Sequence, residues 1–82
     1  MQPYKDSSNI RVFSKDVDPM ELVWHQDDED RTIEILEGEG WCIQRDNRLP
    51  RAMKVGEIIF ITKGEIHRVL KGTTDLKIKI NG

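Results

Sequence analysis

Short stretches of alternating apolar and polar residues recur along this chain, with turn-forming residues between them. The clearest alternation covers residues 76–80, where Leu76, Ile78 and Ile80 are separated by lysines. Successive side chains of a β-strand point to opposite faces, so this alternation is typical of a strand with one buried face. No stretch shows a sustained helical period, and the pattern predicts an all-β domain.

The same reasoning predicts the other strands of the domain. We expect them at residues 10–13, 20–25, 31–37, 41–45, 58–61 and from His67 onward. Asp46 and Asn47 form a two-residue turn. Pro50 follows in the returning segment and places it at a sheet edge or a bulge, because proline cannot donate to the ladder.

Alternation also predicts which side chains share a face. Within residues 20–25, Leu22 and Trp24 point one way and His25 points the other, with Asp27 continuing the His25 side. Within residues 31–37, Arg31 shares a face with Ile33 and Ile35, which would direct the guanidinium toward the interior.

Length, charge and cysteine content limit the classes of function. Eighty-two residues make one domain, which we divide into an N-terminal arm (residues 1–9) and a β-domain (residues 10–82). The formal net charge of −2 does not indicate a nucleic-acid or membrane partner, and no stretch predicts a DNA-reading helix. Cys42 is the single cysteine, which excludes an intramolecular disulfide, and we interpret it as a buried inert thiol. The N-terminus lacks the apolar stretch of a signal peptide, and we expect a cytoplasmic protein.

The segment from Gly56 to His67 resembles the second motif of the cupin superfamily. That motif is a glycine, five residues, a proline, one residue, a glycine, two residues, a histidine, three residues and an asparagine. Gly56, Gly64 and His67 match it at the correct spacing. Thr62 stands in the place of the proline and Lys71 in the place of the asparagine.

The first cupin motif is present in altered form. It is His-x-His, three or four residues, a glutamate, six residues and a glycine. Counting back from Gly38 puts Arg31 in the place of the glutamate, and His25 and Asp27 in the places of the two histidines. The resemblance covers residues 22–72 and implies a single-domain cupin jelly-roll barrel over residues 10–82, in a superfamily whose members are usually dimeric.

In metal-binding cupins the four motif positions hold one divalent ion inside the barrel. Mapped onto this chain, the resemblance offers His25, Asp27 and His67 as ligands for iron, manganese, zinc or nickel. Arg31 opposes a metal, because a protonated guanidinium has no lone pair to offer. At a separation of about 5 Å, the repulsion between charges of +2 and +1 is about 6–7 kcal/mol at an effective dielectric constant of 20.

Three interpretations of this site follow from the sequence. In the first, Arg31 turns outward and His25, Asp27 and His67 bind a metal weakly. In the second, the site binds a small organic anion or a sugar-like ligand without metal, with Arg31 as the clamp and His25 and His67 as donors or acid–base groups. In the third, an Arg31–Asp27 pair satisfies the site, and the protein acts as a non-enzymatic interaction module. The sequence assigns no catalytic residue and leaves open whether the protein is an enzyme.

Two further expectations concern the loop acids and the outer surface. Glu29 or Asp30 would reach inward if the turn that contains them were longer. Apolar side chains opposite the His25 face need another cover, and we therefore predict a homodimer. The proposed interface consists of Leu22, Trp24 and Leu36, with Trp41 as a further candidate.

Overall fold

Residues 4–81, which the computed structural model describes, form two antiparallel β-sheets around one core. The eight strands are β1 (Tyr4–Ser7), β2 (Ile10–Phe13), β3 (Arg31–Glu37), β4 (Cys42–Arg45), β5 (Arg51–Ala52), β6 (Ile58–Ile61), β7 (His67–Leu70) and β8 (Leu76–Asn81). One sheet has the order β1-β2-β8-β3-β6, and the other has the order β5-β4-β7. Neither sheet closes on itself within this part of the chain. The predicted all-β class is confirmed.

The centre of the larger sheet consists of β3 and its two neighbours, β8 and β6. Ile33 is opposite Ile80 on β8 and opposite Ile59 on β6. Ile33 and Ile59 are buried and Ile80 is partly buried. Alternation places these side chains on the inner face, as predicted for Ile33 and Ile80. Because β8 lies between β2 and β3, its outward lysines do not protect a sheet edge.

Both sheets contribute to a single apolar core, which is made of Phe13, Val17, Leu22, Ile33, Ile35, Trp41, Ile43, Met53, Ile59, Ile61, Leu76 and Ile78. Trp41 is fully buried, and its Nε1 donates a hydrogen bond to the carbonyl of Thr74 at 2.6 Å. The centroids of the Phe13 and Trp41 rings are 5.8 Å apart. These contacts join the larger sheet to the chain that enters β4.

The surface predicted for the homodimer is not formed. Leu22 and Trp41 are buried in the core, whereas Leu36 is partly buried and Trp24 is exposed. The four side chains therefore cannot share one outer face. The homodimer itself stays a prediction.

The strand predicted over residues 20–25 is wrong. The structure has a single 3₁₀ turn at Pro19–Glu21, followed by a loop in which His25 alone makes an isolated β-bridge. Asp18 caps this turn, because its side chain accepts a hydrogen bond from the Met20 amide at 3.0 Å. Proline at the first position suits a helical turn, since its fixed φ angle is already helical and its missing N–H would have no partner there. At this position the capping aspartate and the proline determine the local conformation, and the alternation of apolar and polar residues does not.

Three smaller expectations can be compared with the structure. The N-terminal arm predicted at residues 1–9 is part of the larger sheet, because Tyr4–Ser7 pairs with β2 as a hairpin. Residues 1–3 of this arm lie outside the described residues. Cys42 is only partly buried, because its neighbour Ile43 takes the inward face of β4. The segment after Pro50 forms the edge strand β5, as predicted. Among residues 4–81, no helix is long and apolar enough to cross a membrane.

Candidate functional site

His67 opens strand β7 and is almost completely buried, with 3% of its surface exposed. A tight turn precedes it, in which Gly64 has a φ angle of +80°, a conformation that glycine adopts without strain. The Nδ1 atom of His67 donates a hydrogen bond to the carbonyl of Glu65 at 2.9 Å. This bond fixes the orientation of the ring and leaves Nε2 directed away from the backbone.

His25 lies beside His67, although it belongs to the loop. The amide of each histidine donates to the carbonyl of the other at 2.9 Å, which forms the isolated bridge. The ring centroids are 4.3 Å apart. The Nδ1 atom of His25 donates to the carbonyl of Val23 at 3.0 Å, so both imidazoles are oriented by a carbonyl two residues earlier.

Asp27 completes the cluster and divides its two carboxylate oxygens between different partners. Oδ2 lies 3.5 Å from Nε2 of His67, and Oδ1 lies 4.0 Å from Nε of Arg31. The carbonyl of Asp27 accepts a hydrogen bond from the Gly64 amide at 3.0 Å. The loop is thereby docked on the turn that leads into β7.

The cluster brings three lone pairs together. A carbonyl oxygen only accepts hydrogen bonds, so Nδ1 of each histidine carries the proton and Nε2 of the neutral ring keeps a lone pair. One potential ligand atom from each of His25, Asp27 and His67 lies within 4.8 Å of the others. Burial lowers the pKa of His67 below its ordinary value of 6.5, an effect that its hydrogen bond to Glu65 only partly offsets. The neutral imidazole and the carboxylate are both acceptors, so they offer lone pairs to a proton, a water molecule or a metal ion placed between them.

Arg31 stays beside this cluster and does not turn away into solvent. Its side chain is 25% exposed, and its Nε is buried with no hydrogen-bond partner among residues 4–81. The predicted pairing with Asp27 is present as an ion pair, but 4.0 Å is too long for a hydrogen bond. Arg31 therefore has a buried donor that no described acceptor satisfies.

The two loop acids Glu29 and Asp30 lie outside the cluster. Asp30 accepts a hydrogen bond from the Lys63 amide at 2.7 Å, which is a second tie between the loop and the turn before β7. Glu29 lines a polar cleft that Arg11 and Arg31 also line. Neither belongs to the cluster of His25, Asp27 and His67.

A cavity of about 370 Å³ adjoins the cluster. Its polar lining residues are Tyr4, Arg11, Glu21, His25, Gln26, Asp27, Arg31 and His67. Its apolar lining residues are Phe13, Leu22, Val23, Ile33, Ile43, Met53, Ile61, Val69, Ile78 and Ile80. The volume lies within the range of about 300–1,000 Å³ that is common for ligand pockets.

Sequence reasoning missed several of these groups. Arg11 is two residues before the inward Phe13 on β2, so alternation alone would have placed it on the inner face. Glu21 lies within the segment that alternation predicts as a strand, residues 20–25, and Gln26 follows it directly. The carbonyls that orient the two imidazoles carry no sequence signal, because every residue has one.

The fold is similar to that of a solved protein. The crystal structure of protein NMB1881 from Neisseria meningitidis matches with a TM-score of 0.60 and 14% sequence identity, over 98% of this chain and 80% of that chain. At this identity the similarity concerns the fold alone. No family model matches the sequence, and no curated protein matches it significantly.

Proposed function

We propose that this protein is a small cupin-like domain that binds one divalent transition metal through His25, Asp27 and His67. The observation that carries the proposal is the convergence of one potential ligand atom from each residue within 4.8 Å, with both Nδ1 atoms already used as donors. Two imidazoles and one carboxylate suit iron, manganese, zinc or nickel. Metal bonds of about 2.0–2.2 Å would draw the three atoms closer together.

The cupin assignment is supported by the positions of the second-motif residues. Gly56 and Gly64 both adopt positive φ angles, +87° and +80°, at the turns before β6 and β7. His67 follows at the start of β7 and faces the interior between the two sheets. These features match what the motif requires of its glycines and its histidine. Because cupins host many unrelated activities, the assignment by itself names no reaction.

Arg31 is compatible with a metal because Asp27 lies between them. Oδ1 of Asp27 is the oxygen nearer to Arg31, and Oδ2 is the oxygen nearer to His67. A carboxylate that bridges a metal and a guanidinium in this way lowers the repulsion between the two cations. Three protein ligands also leave coordination positions free, and the adjoining cavity gives a small molecule access to them.

Elemental analysis tests the proposal directly. The protein is purified without a nickel column or a chelator, and zinc, manganese, iron and nickel are measured per chain. We expect close to one ion per chain in the unmodified protein. Isothermal titration of the metal-stripped protein with Zn²⁺ and Mn²⁺ then gives the affinity and stoichiometry.

Two variants provide the matched comparison. Asp27→Asn removes the charged ligand, whereas Asp28→Asn removes an exposed neighbouring charge outside the cluster. We expect Asp27→Asn alone to lower the affinity for metal, by more than about 100-fold, which exceeds the usual effect of groups that only support a ligand. Equal affinity in both variants would contradict the proposal.

An Arg31→Glu variant separates metal binding from the interpretation in which Arg31 excludes a metal. This change restores the acidic residue of the first cupin motif. If both proteins bind metal, the proposal stands. Metal in the variant alone would mean that Arg31 keeps the native site free of metal, and metal in neither would favour the self-satisfied interaction module.

A further inference from the structure

The cavity beside the cluster has a polar part and an apolar part, and the apolar part is built by the sheets. Ile33 and Ile78 come from the larger sheet, and Ile43 and Val69 come from the smaller one. Apolar walls of this kind offer no hydrogen bonds to a ligand. They favour a molecule with a hydrocarbon body and disfavour a sugar, whose hydroxyls would lose their water without replacement.

Arg31 is the cavity cation that lacks a close partner in the described chain. Arg11 is already engaged, because it donates to both carboxylate oxygens of Asp6 at 2.7 and 3.2 Å and its guanidinium lies 3.7 Å from the centre of the Tyr4 ring. Arg31 has only Asp27 at 4.0 Å, and its Nε is unsatisfied. An unsatisfied buried donor carries an energetic cost, because it has lost its hydrogen bonds to water without replacement. An acceptor supplied by a ligand would remove that cost.

A metal in the cluster would strengthen this demand for an anion. Asp27 would then share its single negative charge between the metal and Arg31. Glu21 is the other carboxylate that lines the cavity, and it cannot balance a divalent ion together with a guanidinium. The polar end of the cavity would carry an excess of positive charge, and an anionic group placed there would interact with both cations.

We propose that the cavity binds a small organic monocarboxylate with an apolar body. The carboxylate lies at the polar end, where it accepts from the guanidinium of Arg31 and reaches the open side of the cluster. The hydrocarbon body lies against the isoleucine and valine side chains of both sheets. This inference rests in part on the proposed metal site, because a bound ion would add its positive charge to that of Arg31. Arginine suits the role, since its planar fork matches the geometry of a carboxylate.

Four probe molecules test this ligand class. Hexanoate, hexan-1-ol and hexylamine share one apolar body and differ in charge, and glucose represents a polyhydroxyl ligand. Each is titrated into the isotopically labelled, Zn²⁺-loaded protein, and binding is followed by the NMR shifts of the isoleucine methyl groups. We expect hexanoate to bind at least about tenfold more tightly than hexan-1-ol, because a hydrogen bond between the guanidinium and a carboxylate is stronger than one to a neutral hydroxyl. Hexylamine and glucose should cause no saturable shift.

Variants then test the role of Arg31. Arg31→Gln should remove most of the preference for hexanoate over hexan-1-ol, and Arg31→Lys should retain part of it. Arg48→Gln, which removes an exposed arginine outside the cavity, should bind hexanoate as the unmodified protein does. Circular dichroism of each variant confirms that it is folded. Equal binding of hexanoate and hexan-1-ol, an unchanged preference in Arg31→Gln, or no binding of hexanoate would each overturn the inference.

The same titration in the metal-stripped protein separates the two proposals. If Zn²⁺ binds with one ion per chain and hexanoate shows no preference, the ligand class is wrong and the metal site stands. If Zn²⁺ fails to bind and hexanoate still binds through Arg31, the metal proposal is wrong, and the monocarboxylate class is supported without it.

Discussion

The candidate site has two halves that are held in very different ways. His67 belongs to a sheet strand, is 3% exposed, and follows a turn fixed by a glycine. His25 and Asp27 belong to a loop without regular structure, and His25 is exposed. The sheet and the glycine turn position His67, whereas the positions of His25 and Asp27 depend on a few hydrogen bonds.

Four hydrogen bonds dock the loop on the segment that carries His67. Two form the bridge between His25 and His67, one joins the Gly64 amide to the carbonyl of Asp27, and one joins the Lys63 amide to the side chain of Asp30. Three of the four involve only the backbone. The backbone of this site is therefore held mainly by main-chain pairing at a sheet end, and the candidate ligand side chains extend from that backbone.

The largest effect should come from damage to the sheet half. Ile61→Ala removes a fully buried side chain of β6, opposite Arg31 in the β3 register. We expect the free energy of unfolding to fall by about 2–5 kcal/mol, as for other buried large-to-small changes. Urea denaturation measures it, with the exposed neighbour Thr62→Ala as the control. Equal stability of the two variants would show that the sheet half is not held by this core.

The next effect distinguishes the two histidines. His67→Gln should lower the affinity for Zn²⁺ by more than about 100-fold, because the strand offers no replacement ligand at that point. His25→Gln should lower it less than His67→Gln does, because His25 is exposed and water can take the vacated coordination position. Isothermal titration gives both dissociation constants. A larger loss of affinity for His25→Gln would contradict the expectation that the strand histidine contributes more to metal binding than the loop histidine.

A smaller effect should follow from loosening the loop without touching a ligand. Asp30→Ala removes the hydrogen bond to the Lys63 amide, which is worth about 0.5–1.5 kcal/mol. If loop docking limits the affinity, the Zn²⁺ dissociation constant should rise by roughly 2–10-fold. Asp28→Ala, which changes the same charge without breaking this bond, should leave it unchanged.

The smallest effect concerns pH and the metal-free protein. Burial lowers the pKa of His67 in the folded state, whereas the unfolded chain titrates near 6.5. Below pH 6.5 the unfolded state therefore binds more protons, so acid favours unfolding until the folded state also takes up the proton. We expect the urea midpoint, measured with a chelator, to fall between about pH 7.5 and 5.5. His67→Gln should show a shallower fall, and an identical slope would contradict the pKa direction.

The sheet half could be predicted from the sequence, and the loop half only in part. Alternation gives the correct bounds of β3, because seven residues with one buried face leave a clear period. It fails over residues 20–25, where apolar and polar residues alternate for a few positions although the chain forms a capped 3₁₀ turn and a loop. His25 and Asp27 nevertheless lie beside His67, because backbone hydrogen bonds dock their loop on the turn before β7.

Some features of the site had no signal in the sequence. The distance between Arg31 and Asp27, close enough for an ion pair and too long for a hydrogen bond, depends on how the loop is docked. The tautomers of His25 and His67 depend on backbone carbonyls. Main-chain partners of this kind are independent of residue type, so only coordinates reveal them.

The reciprocal bridge between His25 and His67 makes these two amide protons reporters of the loop. Each is protected by the other residue's carbonyl, so both become exchangeable in the same local opening. An ion that binds only the docked loop makes that opening less favourable by mass action. The free energy of opening rises by about 2.7 kcal/mol when the free ion concentration is 100 times its dissociation constant. Amide hydrogen exchange at these two positions should therefore slow in parallel when metal binds, and would count occupied sites without any probe attached to the protein.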